Sequence, residues 1–387
     1  MRCLVFLFFL LCAAAPDAPP ITRAPAPPAL ETEAPWVAFT LTPAEQICFQ
    51  AVVDGHSVTA ILDTGVSTSL LSRRFVDAAR MRVRHGHAAL AIGGTVATGW
   101  VDPSSVTVAE RTVHSPRLMT APLPPATTGQ AAIDLLVGSD IIGGYALDID
   151  YAAQRFRLLP SGNLPFAGSI APLRIGGEWS TYVTDILVGD HHLSRMAVDT
   201  GDGSAITVTQ PAWSALAEKH RPTSSTISYG VGGAAIVDLA IVPGVRSGTA
   251  PARTVEMRIE PSGGYTATIG MNGRIGSGFL RHYRVLLDPH AGRMVLLPDS
   301  SADTPPLRST SGLILRRDDD RLTVLHVMRG GPAEADGWQA GEQICAVDGL
   351  PVSAEASLHW PVDAAGRSVK LATCNGMTRT LTLRAFY

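Results

Sequence analysis

The chain repeats itself, and that limits what it can fold into more than any other feature. Ser57-Val-Thr-Ala-Ile-Leu-Asp63-Thr64-Gly65-Val66-Ser67 is an apolar, β-branched run stopped by a polar turn. Leu193-Ser-Arg-Met-Ala-Val-Asp199-Thr200-Gly201-Asp202-Gly203 repeats this plan 136 residues later. Further on, residues 137–160 align without a gap to residues 275–298, and nine of these 24 positions are identical. Both blocks keep nearly the same internal spacing, as duplication of one folding unit would produce. With Gly 37 and Pro 28, each unit needs many turns and short strands, so the expected fold class is mainly β.

The 387 residues, 46% hydrophobic and 17% charged, can bury a sizeable core and fit two or three domains. A formal charge of -3 leaves no electrostatic footprint for nucleic acid. Lysine occurs only at Lys219 and Lys370; neither has the neighbours of a Ser-x-x-Lys hydrolase or a phosphate-binding loop. His85-Gly-His87 and His191-His192 lack the spacing of a metal site, and no Gly-x-Ser-x-Gly elbow occurs.

Met1-Arg2, the apolar run from Cys3 to Cys12 and the alanines 13–15 read as a signal peptide over 1–15, too short for a comfortable membrane span. A lipid anchor on Cys12 and a retained signal anchor are alternatives. The expected location is periplasmic. Residues 16–35 carry seven prolines and read as an extended tether. Cys48, Cys345 and Cys374 remain in the mature chain; the last two can pair, or all three can be small buried hydrophobes.

The repeat carries a recognisable pattern. Ile61-Leu62-Asp63-Thr64-Gly65, Ile92-Gly93-Gly94 and Leu136-Val137-Gly138 are followed by Ala197-Val198-Asp199-Thr200-Gly201, Val231-Gly232-Gly233 and Arg274-Ile275-Gly276. This resembles the aspartic proteases of the retropepsin and pepsin type, in particular bacterial secreted enzymes that join two retropepsin-like lobes to a PDZ domain. The resemblance implies β-barrel lobes over 36–165 and 166–298, with Asp63 and Asp199 as a catalytic dyad. Two carboxyls a few ångströms apart share one proton and supply both base and acid for peptide hydrolysis, without metal or cofactor.

The same likeness implies that Thr64 and Thr200 cross-brace the two loops, that Gly65 and Gly201 permit tight turns, and that Ser67 and Asp202 flank the dyad. Asp202 is a departure from the pattern: a third carboxylate is expected to raise the dyad's apparent pKa unless it turns to solvent. Gly93-Gly94 and Gly232-Gly233 are expected at the tips of two flap hairpins that close over a peptide or unfolded-protein substrate. With both lobes in one chain, a monomer suffices. The alternative is a non-proteolytic peptide-binding protein on the same fold.

Residues 299–310 are polar and proline-broken and read as a linker. Beyond them, Gly330-Gly331-Pro332-Ala333, Ala340-Gly341, Ile344 and Val347-Asp348-Gly349 resemble the PDZ family over 311–387. That likeness implies an α+β module whose Gly312, Leu313, Ile314 and Leu315 form a carboxylate-binding loop and edge strand for a C-terminal peptide. A module that simply packs on the lobes is the alternative.

Overall fold

The computed structural model describes residues 34–125, 132–177, 179–353 and 360–387. The signal-peptide and most of the tether expectations lie outside these residues. The described chain is mainly β, as expected, with helices of at most six residues.

In the first lobe, Ile47–Val53 and His56–Leu62 form a hairpin around Asp54-Gly55. His56–Leu62 then lies parallel to Leu135–Val137, so it is flanked on both sides; its last residues, Ala60, Ile61 and Leu62, are fully buried. Because successive residues point to opposite faces and all three are buried, both faces are covered here, and the run is continuously apolar rather than alternating. Leu70–Ser72 pairs with Leu135–Val137 and with Leu118–Ala121, which leads out to the hairpin Arg84–Ala91/Gly94–Val101.

The second lobe repeats these pairings. Thr181–Val188 and His191–Asp199 form the hairpin, His191–Asp199 lies parallel to Gly273–Gly276, and Ile206–Thr209 and Arg253–Glu260 follow. One long strand, Gly233–Ser247, pairs with both Arg253–Glu260 and Thr181–Val188 and closes the lobe into a barrel. In the first lobe the equivalent path is divided between Gly94–Val101 and Ser105–Val108, with Pro103 between them, whereas the second-lobe strand runs on through Pro243 with a register shift between Val242 and Val245.

The lobes share a third sheet in the order Val37–Ala38, Arg155–Leu159, Ala146–Asp150, Tyr283–Asp288, Arg293–Pro298, Ser169–Pro172. Its two central strands are copies of one another, and Asp148 faces Leu286 across the middle of the pair. Asp148 is fully buried and accepts hydrogen bonds from Arg157 (2.9 Å) and Arg284 (3.0 and 2.9 Å). The Trp36 ring lies 4.2 Å from the Arg157 guanidinium carbon and 5.5 Å from that of Arg284, covering the charged group.

Residues 311–387 make a separate sheet, Leu313–Arg317, Leu322–Val327, Gln343–Val347, Ser368–Thr373 and Thr378–Thr382, with its own core of Leu322, Val324, Trp338, Ile344 and Leu371. A disulfide joins Cys345 to Cys374, with 5.0 Å between Cα atoms; Cys48 is a free, half-buried thiol. The segment 299–310 is not a free linker. Ser301 bonds to His282, the Thr304 carbonyl accepts from Arg253, Thr310 donates to the Asp363 carbonyl, and the Tyr387 hydroxyl accepts from the Ser309 amide.

Candidate active site

Asp63 follows the strand His56–Leu62, and its amide donates to the Val137 carbonyl (2.9 Å), so the parallel partner strand continues to hold the chain past the strand end. Asp199 ends the equivalent strand, opposite Gly276. The two turns meet through Thr64 and Thr200. The Thr64 hydroxyl donates to the Val198 carbonyl (2.7 Å) and accepts from the Thr200 amide (3.1 Å); the Thr200 hydroxyl donates to the Leu62 carbonyl (2.8 Å) and accepts from the Thr64 amide (3.1 Å). These four buried bonds are exchanged symmetrically, as a twofold relation between lobes requires.

Gly65 donates its amide to Asp63 (2.9 Å) and Gly201 donates to Asp199 (3.1 Å). A methyl group on Gly65 would collide with the Asp199 carboxyl, and one on Gly201 with that of Asp63. Each glycine therefore makes room for the carboxyl of the other lobe, which brings the two acids face to face. Burial pushes the Asp63 carboxyl up to about 6, offset in part by the Gly65 amide. Asp199 is pushed well above the usual carboxylate range by burial, then by the negative charges of Asp63 and Asp202, with Arg274 acting in the opposite sense.

Asp202 neither turns to solvent nor stands as a free third charge. It is buried, and Arg274 donates to it from Nε (3.0 Å) while Nη2 lies 3.0 Å from the same oxygen. Burial by itself would raise its pKa; Arg274, then Arg258 and the Ser204 amide, more than offset this and hold it below the ordinary value. Arg274 also pairs with Glu260 (3.1 Å) and lies 3.8 Å from Asp199. Tyr265 presents its ring to the guanidinium at 5.6 Å.

Ser67 has no hydrogen bond to either dyad carboxyl. In the first lobe it is Ser69 that ties the loop, donating its hydroxyl and amide to Asp140 and accepting from the Gly138 amide. The residue after Gly65 is Val66, and the turn runs past Ser67 before Ser69 reaches the start of helix Ser139–Ile142.

Gly93, Gly94, Gly232 and Gly233 lie where the two outer hairpins meet. Each hairpin turns through two residues, Ile92-Gly93 and Val231-Gly232. The Gly232 amide donates to the Ile92 carbonyl (3.0 Å), and a side chain on Gly93 would strike the Gly233 backbone. Gly93 also has a φ of 89, which favours glycine. Val231 packs on a cluster of the opposite lobe containing Ile61, Leu70, Val96, Ile133 and Leu136.

In the C-terminal unit, Leu313–Arg317 is an edge strand, bonded among the described strands only to Leu322–Val327. Leu313 and Leu315 face that unit's core, whereas Ile314 packs with Met328, Tyr387, Leu239 and Ile241 against the second lobe. The amides of Gly312 and Leu313 already donate to the hydroxyls of Ser309 (3.0 Å) and Ser311 (3.1 Å), so they are not free to capture a terminal carboxylate as expected. The neighbouring residues grip the base of the second outer hairpin. Ser225 bonds to His326 (2.9 Å) and to the Arg329 amide (3.0 Å), and Arg329 pairs with Asp238 (3.0 Å).

Comparison with known proteins bears on the first lobe. Residues 49–141 match the family of aspartyl proteases. The match includes Asp63 and ends before Asp199, and it supports an aspartyl-protease reading of this region. Among solved structures, EIAV protease complexed with the inhibitor HBY-793 is similar at 20% identity over 27% of this chain and 91% of that one, with a TM-score of 0.22. No curated protein sequence matches.

Sequence reasoning passed over Arg274, Glu260 and Tyr265. The repeat itself held the signal. Where the first lobe has Val66 and Leu136, the second has Asp202 and Arg274: two departures from one template with opposite charges, which the fold places in contact.

Proposed function

We propose that this chain is an aspartic endopeptidase in which Asp63 and Asp199 activate water against a peptide carbonyl. The observation that carries this reading is the reciprocal seating of each carboxyl against the other lobe's glycine, locked by the four Thr64 and Thr200 bonds. With both carboxyls buried and repelling one another, one retains a proton near neutrality while the other ionises. The ionised member takes a proton from water as the water oxygen attacks the carbonyl carbon. The protonated member donates to the carbonyl oxygen, and the proton held after the first step passes to the departing amine.

The two hairpins act as flaps over an extended peptide or unfolded segment, which the backbone groups of the cleft bind while alternate side chains enter pockets. Residues 311–387 are a PDZ-like module that braces the second flap through Ser225, Asp238 and Ile314. In this reading the enzyme works as a monomer in the periplasm, delivered there by residues 1–15. The purified mature chain is tested on unfolded protein from acid to neutral pH; cleavage that disappears in Asp63→Asn supports the reading, and binding of peptides without cleavage at any pH would replace it with a peptide-binding function.

A further inference from the structure

We infer that Arg274 determines the specificity of the subsite on the second-lobe side of the scissile bond, where it receives an uncharged hydrogen-bond acceptor, the side-chain amide of Asn or Gln, while the first-lobe side receives an apolar residue. The inference rests on the peptidase reading of the cleft. It starts from the internal repeat, because Leu136 and Arg274 occupy the same position in the two lobes. Leu136 belongs to the apolar cluster that also contains Val96 and Ala91 of the first flap and Val231 of the second flap tip. That position therefore faces the space beneath the flaps, and duplication puts Arg274 at the equivalent place beside Asp199.

The guanidinium there is incompletely used. Its Nε and Nη2 serve Asp202 and Glu260, but Nη1 is buried with no hydrogen-bond partner among the described residues, in a side chain of which only 2% is exposed. A buried donor left unpaired costs free energy that an incoming acceptor recovers. The class of acceptor follows from charge. Arg274 is already matched by Asp202 and Glu260 and stands next to the dyad, so a further carboxylate would add repulsion, and a Lys or Arg side chain has no acceptor to offer. A neutral amide carbonyl satisfies Nη1 without either cost. A methylene in its place leaves Nη1 unpaired, the situation in which sites built around a polar group discriminate most strongly.

The test uses the full chain and a peptide with apolar residues on both sides of the cleaved bond, varied one side at a time among Gln, Glu, Met and Lys. Wild type is expected to prefer Gln over Met by tenfold or more in kcat/KM on one side, with Glu and Lys poorer than Gln there, and to prefer Met on the other. Arg274→Lys keeps a positive charge but lacks the Nη1 donor, and reduces the Gln preference below threefold. Arg274→Leu combined with Asp202→Val installs the first-lobe pair, leaves Glu260 with the Thr266 amide as its partner and reverses the preference to Met. Equal cleavage of Gln and Met peptides by wild type, or a Gln preference surviving in the double variant, overturns the inference. If wild type cleaves no peptide, the peptidase reading fails, and dissociation constants of the same labelled peptides decide the subsite: a tenfold Gln-over-Met difference lost in Arg274→Lys upholds it, and no difference overturns it.

Discussion

Replacing Thr64 by Val keeps the side-chain shape and deletes one hydroxyl that makes two bonds, to the Val198 carbonyl and from the Thr200 amide. Thr64 is 1% exposed, so water cannot replace the lost partners. Each stranded backbone group costs about 1–3 kcal/mol, giving a loss of about 2–6 kcal/mol for the two. Thr200→Val strands the Leu62 carbonyl and the Thr64 amide in the same way and is expected to cost a similar amount. The four bonds are divided two to each hydroxyl, so the double variant adds the two losses and separates the turns that hold the acids. Denaturant unfolding monitored by tryptophan fluorescence gives the stability change, and peptidase turnover is measured on the same samples. A loss below about 1 kcal/mol in both single variants would show that the turns are held by something other than this exchange, and the argument for paired carboxyls would lose its support.

Other perturbations read other parts of the structure. Asp202→Asn removes a negative charge that opposes ionisation of Asp199 and leaves Arg274 less neutralised, so the alkaline limb of the pH–rate profile should move to lower pH; an unchanged limb would contradict the charge coupling. Because the folded-state pKa of Asp63 is raised to about 6, its charge destabilises the folded protein as pH rises from its ordinary value through about 6. Asp63→Asn should thus be more stable than wild type above pH 6 and gain nothing below pH 4, as thermal melts across pH would show. Asp148→Ala strands Arg157 and Arg284 in the shared sheet and should lower stability by about 3–5 kcal/mol, measured by denaturant unfolding. Reducing Cys345–Cys374, which closes a separation of 29 residues, should destabilise the C-terminal unit by about 3–4 kcal/mol and leave dyad chemistry intact.

The twofold plan and the residues at its centre were legible because duplication displays one structural requirement twice. Asp63 and Asp199, their threonines, their glycines and the flap glycines lie in short local motifs whose spacing survives between the copies. The buried charge clusters were not legible, because their members are far apart in sequence: Arg274 is 72 residues from Asp202, and Arg284 is 136 from Asp148. Yet both clusters occur where the copies disagree. Arg274 and Asp202 replace Leu136 and Val66, while Asp148, Arg157 and Arg284 stand against Leu286, Val295 and Ala146. A symmetric fold can use a compensated charge on one side of its axis only if both partners depart from the template together. Ser67 misled because a hydroxyl near the dyad is easy to read as a support, whereas the turn reaches its anchor, Asp140, only at Ser69. The grip of His326 and Arg329 on the second outer hairpin left no pattern at all, since Ser225 lies 101 residues from His326 and 104 from Arg329.

The central claim is that two lobes each supply one indispensable carboxyl to a single reaction centre. Initial rates of hydrolysis of an unfolded protein by wild type, Asp63→Asn and Asp199→Asn, compared at the optimum pH with equal folded fractions, test it most directly. The account predicts measurable turnover for wild type and loss of nearly all of it in each single variant, because neither carboxyl can take the proton from water and protonate the carbonyl oxygen in the same step. Turnover close to wild type in either variant would contradict it.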